Sequence, residues 1–124
     1  IYCVGESKDI KTSGNAHQTV KDQLSVLKGI SLSFPLIIAY EPVWSIGTGD
    51  NAEPDYICDI SNIIRRELDT ICGQDQIPVF YGGSVDSSNT KNILKDGEVD
   101  GLLIGGSSLD ENKFSNIVKI GLNN

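Results

Sequence analysis

One carboxylate in this sequence stands where a catalytic base would. Glu41 ends the apolar run from Leu36 to Tyr40, and Pro42, Val43, Trp44, Ser45, Ile46, Gly47, Thr48 and Gly49 follow it. In parallel α/β folds the carboxyl ends of the strands carry the reacting groups, so a glutamate there faces the mouth of a site. Pro42 fixes its own φ and drives Glu41 toward an extended conformation, which ends the strand with the carboxylate at a defined angle. Val43, Trp44 and Ile46 are apolar for a loop. Such a segment can cover a small ligand and exclude water, with Gly47 and Gly49 supplying flexibility and unobstructed N–H groups. The plainer alternative is a packed loop whose Trp44 covers a neighbouring helix.

Two glycine pairs offer complementary chemistry. Tyr81-Gly82-Gly83-Ser84 follows an apolar run and presents bare amides with a hydroxyl at Ser84, a combination suited to an anion. Gly105-Gly106-Ser107 follows the next run and is placed to open a short helix whose first amides face the same spot. An isolated Gly-Gly pair is usually a tight turn. Two of them on consecutive strands, after an acidic strand end, favour a phosphate site.

The elements that position these groups can be read from hydropathy. Four continuously apolar runs, Ile1 to Val4, Leu36 to Tyr40, Ile77 to Tyr81 and Gly101 to Ile104, suit strands of a parallel sheet buried on both faces. Ile57, Ile60, Ile64, Leu68 and Ile71 recur at helical steps, with Pro54 near the first turn and Gly73 past the last. Val20, Leu24 and Leu27 mark an earlier helix and Asn89 to Leu94 a short one. Phe114, Ile117, Val118 and Ile120 mark a final helix, capped by Asp110. The order βαβαβαβα implies parallel strands with right-handed crossovers, in an open sheet or in part of a closed barrel, with no internal domain boundary.

Composition narrows the partners. A net charge of −7, with scattered lysines, argues against nucleic acid. Cys3, Cys58 and Cys72 form no CxxC pair, which suits a reduced, cytoplasmic setting. No apolar run approaches the roughly 20 residues of a membrane span. The chain opens on Ile1 inside an apolar run, so we expect it to be a fragment of a longer sequence.

The string Tyr40-Glu41-Pro42-Val43-Trp44-Ser45-Ile46-Gly47-Thr48-Gly49 resembles the glutamate and lid of the triosephosphate isomerase family. Tyr81-Gly82-Gly83-Ser84-Val85 and Asp100-Gly101-Leu102-Leu103-Ile104-Gly105-Gly106-Ser107-Ser108-Leu109 are similar to its next two loops, and Cys3-Val4-Gly5-Glu6 to its fifth strand. The resemblance implies that residues 1 to 124 are one partial domain, the C-terminal half of a TIM (β/α)8 barrel from (βα)5 to (βα)8. It implies interconversion of dihydroxyacetone phosphate and glyceraldehyde 3-phosphate in glycolysis and gluconeogenesis, with Glu41 as base. By the same resemblance the backbone amides of Gly47, Ser84, Gly105 and Gly106 hold the phosphate, Gly82 and Leu103 line the pocket, and Pro42 to Gly49 form the lid. No metal or organic cofactor is implied, and the complete enzyme is expected to be a homodimer.

The family's lysine and electrophilic histidine lie on earlier strands and have no counterpart here, so the chain alone is expected to be inactive. His17, the one histidine, sits beside a helix start and is expected on the surface. By the same resemblance Arg65 is scaffold, paired with Glu98; Cys3 is expected to be strand packing, and Cys58 and Cys72 helix residues. Ala16 and Glu53 stand where the family usually has hydroxyl residues opening helices, which weakens two caps. Two other readings are a noncatalytic phosphate-binding half-barrel and a different phosphate-binding barrel enzyme. The first needs neither Glu41 nor an apolar lid, and the second has no reason to retain the whole string.

Overall fold

The computed structural model describes residues 1–31, 35–73 and 77–123. Four strands, β1 (Tyr2–Val4), β2 (Ile38–Tyr40), β3 (Val79–Tyr81) and β4 (Gly101–Leu102), form one parallel sheet in sequence order. All four expected runs contain a strand, each shorter than its apolar stretch. Beyond β4 the ladder continues through Leu103, whose N–H reaches the Tyr81 carbonyl at 2.8 Å.

The crossovers are α1 (Lys8–Thr12) and α2 (Ala16–Leu24) after β1, α3 (Pro54–Cys72) after β2 and α4 (Thr90–Asp96) after β3, and α5 (Glu111–Leu122) follows β4. In α3 the apolar stripe is realised: Ile57, Ile60, Ile64 and Leu68 are buried against the sheet residues Ile38, Tyr40, Val79 and Tyr81. Pro54 opens the helix where its missing N–H costs nothing, and Gly73 closes it at φ 60°, a left-handed conformation that a β-carbon would strain. Asp110 caps α5 by accepting the N–H groups of Asn112 and Lys113, which holds its carboxyl below the usual range. Asn15 and Glu53, the residues preceding α2 and α3, give no side-chain cap.

The register sets Cys3, Ala39 and Phe80 side by side, with Gly101 next to Phe80. On this face Ala39 is buried but Phe80 only half-buried and Cys3 exposed. The expectation of burial on both faces, and of Cys3 as packing, is therefore corrected: the apolar stripes of α2, α3, α4 and α5 join the core on the other side. Among the described residues, no helix is long and apolar enough to cross a membrane.

Arg65 is also corrected. Its guanidinium bonds the Asp100 carboxylate at 2.8 Å and the Glu98 backbone carbonyl at 3.2 Å, while the Glu98 side chain faces Asn62. Asp100 wins because the same carboxylate oxygen also accepts the Val79 N–H at 2.8 Å, which fixes it between β3 and β4. His17 is on the surface as expected, bonded to Asp59 across α2 and α3.

Candidate functional site

Glu41 leaves β2 with its N–H held by the Val4 carbonyl at 2.7 Å. Two glycines make room for it. A β-carbon on Gly5 would stand 1.9 Å from the Glu41 carbonyl oxygen, and one on Gly82 would stand 2.6 Å from the Glu41 Cγ. Neither separation is tolerable, so both positions require glycine for close approach. The Glu41 carboxylate influences Cys3 of β1: hydrogen bonding toward Glu41, then burial, then the carboxylate's charge push the thiol up to about 11. The carboxylate thus lies between β1 and the loop after β3.

Beside it opens a cavity of about 710 Å³ whose walls come from three consecutive βα loops. Ile46, Gly47 and Gly49 contribute from the lid, Gly82 and Ser84 from the loop after β3, and Gly105 and Gly106 from the loop after β4. A β-carbon on Gly47, Gly105 or Gly106 would meet nothing within 4 Å, so glycine there keeps the space empty rather than avoiding a wall. Among the described residues, the amides of Gly47, Gly105 and Gly106 have no protein acceptor. They are free for an anion. The Ser84 amide differs, because it donates to the Ser45 hydroxyl at 3.2 Å.

Glu41 and Leu103 do not line this cavity. Glu41 adjoins it through Gly82, and Leu103 serves the ladder instead. Sequence reasoning missed Asn51 and the stretch from Asp86 to Ser88, all on the walls, as well as Lys113, while Val85 and Ser107, read only within motifs, also line it. Lys113 is the one cation among the lining residues, from the first turn of α5. Asp86 is ionised there, held below the usual carboxylate range first by the Ser88 hydroxyl.

The lid is braced from within. Val43–Ser45 makes a turn of 3-10 helix, and Thr48 accepts the Asp50 N–H while donating to the Trp44 carbonyl. Gly47 and Gly49 have φ of 66° and 80°, which confines both positions to glycine-like residues. Of the three apolar lid residues only Ile46 reaches the cavity. Trp44 packs edge-on against Tyr56 of α3, as the plainer reading of the loop would have it.

Its indole has a further partner that the sequence did not announce. Glu6, fully buried, accepts from the Trp44 Nε1 at 2.8 Å, the Tyr56 hydroxyl at 2.9 Å and the Tyr40 hydroxyl at 3.1 Å. The Lys11 ammonium stands 3.5 Å over the Trp44 ring. A carboxylate can be buried only when hydrogen bonds replace its water, and three aromatic donors do so here. The lid's first half is thereby tied to β1, β2, α1 and α3. The signal available was weak: Glu6 follows Gly5 just past an apolar run, with nothing local to pair it.

The sequence model of the triosephosphate isomerase family matches residues 1–121. The chain is 40% identical over 124 residues to the triosephosphate isomerase of Neisseria meningitidis, covering 99% of this chain and 49% of that protein. It is 41% identical to the one from Protochlamydia amoebophila, over 98% of this chain and 48% of the relative. The Wolinella succinogenes protein of the same name is 42% identical, over 96% and 48% respectively. The chain spans about half the length of the curated relatives it matches.

Proposed function

The chain belongs to the triosephosphate isomerase family, and from that premise we propose that it is the C-terminal half of a triose-phosphate isomerase barrel, (βα)5 to (βα)8, forming residues 1 to 124 of one domain. The observation that carries this reading is that Gly82, which lines a cavity with five other glycines, also lies against the Glu41 side chain. The cavity suits the phosphate of a three-carbon sugar, gripped by the amides of Gly47, Gly105 and Gly106 and, once released, Ser84. A phosphate anchored there leaves the carbonyl end toward Glu41.

Glu41 then takes the proton from the carbon beside the carbonyl and returns it to the neighbouring carbon, through an enediolate. The lid from Pro42 to Gly49 closes over that intermediate and keeps water away. Negative charge gathers on the enediolate oxygens, and a strong donor must meet it. In this reading the donor comes from the other half of the barrel, so the isolated chain supplies a base and a phosphate grip without an electrophile. The complete enzyme is read as a cytoplasmic homodimer of glycolysis and gluconeogenesis that needs no cofactor.

The phosphate assignment is tested by Gly105→Val in a complete barrel chain. A β-carbon at Gly105 would meet nothing within 4 Å, so a valine there meets no wall at its β-carbon and adds bulk beside the cavity that Gly105 lines. Calorimetry with a phosphorylated two-carbon acid should show affinity falling by about tenfold or more, as one or two charge-assisted hydrogen bonds are blocked. Equal affinity in both proteins would place the phosphate elsewhere.

A further inference from the structure

Ser45 is a buried hydroxyl in the middle of a lid whose second half, Ile46 to Gly49, is exposed. Its side chain is fully enclosed, although Val43 and Ile46 on either side are exposed. The hydroxyl donates to the Asp50 carbonyl at 2.6 Å, lies 3.2 Å from the Tyr81 hydroxyl and accepts the Ser84 N–H at 3.2 Å. In return the Ser84 hydroxyl donates to the Ser45 carbonyl at 2.6 Å. A β-carbon on Gly83 would stand 2.8 Å from the Ser45 oxygen, so the loop after β3 is bare where the lid seats. One oxygen thus joins the middle of the lid to the residue just after it, the end of β3 and the amide of Ser84.

We propose that Ser45 is a lid-positioning residue that couples lid seating to the anion site. This rests on the isomerase reading given above. With no anion bound, the Ser45 hydroxyl holds the Ser84 amide and the lid sits against the loop after β3. A phosphate entering the cavity competes for that amide. The Ser45 oxygen keeps its bonds to Asp50 and Tyr81, so the lid stays anchored while the fourth amide turns to the anion.

Removing the hydroxyl has opposite consequences for two kinds of ligand. Inorganic phosphate needs the amides only, and Ser45→Ala frees one of them. A phosphorylated two-carbon acid, whose carboxylate stands for the planar enediolate, also needs the lid seated over it. The lid then loses the hydroxyl's bonds to Asp50 and Tyr81.

The experiment is calorimetry with both ligands on the complete barrel chain and its Ser45→Ala variant. The expected result is phosphate affinity unchanged or slightly tighter and two-carbon acid affinity weaker, so that their ratio falls about fivefold or more. Taking a ratio within one protein removes the effect of any unfolded fraction. An unchanged ratio, with or without a lower melting temperature, would make Ser45 a structural hydroxyl only and overturn the proposal. If the unmodified protein binds neither ligand, the isomerase reading fails; if it binds both and the ratio holds, only the role of Ser45 does.

Discussion

Glu41 and Cys3 form a coupled pair that can be followed without any substrate. The Cys3 thiol is held up to about 11, first by hydrogen bonding toward Glu41, although the residue itself is exposed. Replacing Glu41 with Leu removes both the acceptor and the charge, and the Cys3 midpoint should fall toward the ordinary value, about 8.5. Thiolate absorbance against pH, corrected with a Cys3→Ser control, measures it; an unmoved midpoint would separate the two side chains. Glu6 is a second determinant, and a buried one. Burial, followed by the Glu6 carboxylate, raises Tyr40 well above the ordinary tyrosine range, and burial with the Glu6 hydrogen bond does the same to Tyr56. A raised value means that the native state keeps protons which the unfolded chain releases near pH 10, so this stability is complete below about pH 10 and is lost as the pH rises further. Melting temperature should therefore fall above about pH 10, with a shallower slope in Tyr56→Phe. An equal slope in both would remove Tyr56 from the linkage.

At the scale of elements, helices and strands were legible where a stripe was long. Ile57 to Leu68 announces α3 because four apolar residues repeat at helical spacing, and Pro54 and Gly73 mark its ends. The five residues of α1 were not legible, since a single half-buried Ile10 makes no period. The site divides in the same way. Glycine pairs after strands are local signals, and they found the cavity's walls. Lys113 and the partners of Glu6 lie far along the chain from the groups they meet, and only the fold brings them together. Arg65 shows the limit: the right helix and the right neighbourhood were read, but the choice between Glu98 and Asp100 depends on which carboxylate can also reach the Val79 amide. That arrangement carries a prediction. Arg65→Ala removes a half-exposed ion pair and should cost less than about 1 kcal/mol. Asp100→Ala also strands the part-buried Val79 N–H between β3 and β4 and should cost about 1–3 kcal/mol. Urea unfolding of the two variants in one host decides it, and equal costs would contradict the clamp.

At the scale of the whole molecule, the four parallel strands among the described residues run in sequence order and leave β1 and β4 each with one paired neighbour, and Cys3 and Phe80 in reach of solvent. Strand edges and uncovered apolar surface of this kind favour association, so residues 1 to 124 made alone should self-associate. In the reading proposed above they should also lack isomerase activity, because that reading draws the electrophile from the other half of the barrel. Joined to an N-terminal half that completes eight strands, the same residues should catalyse. The measurement that tests this account most directly is a coupled isomerase assay on that complete chain and its Glu41→Asp variant. Shortening the side chain withdraws the carboxylate by one methylene, and a misplacement of about 1 Å can cost on the order of 10²-fold. We predict that kcat falls by about that factor, while KM stays within a few-fold because the glycine amides are untouched. An active chain whose kcat is unchanged by Glu41→Asp would contradict the assignment of Glu41 as the base.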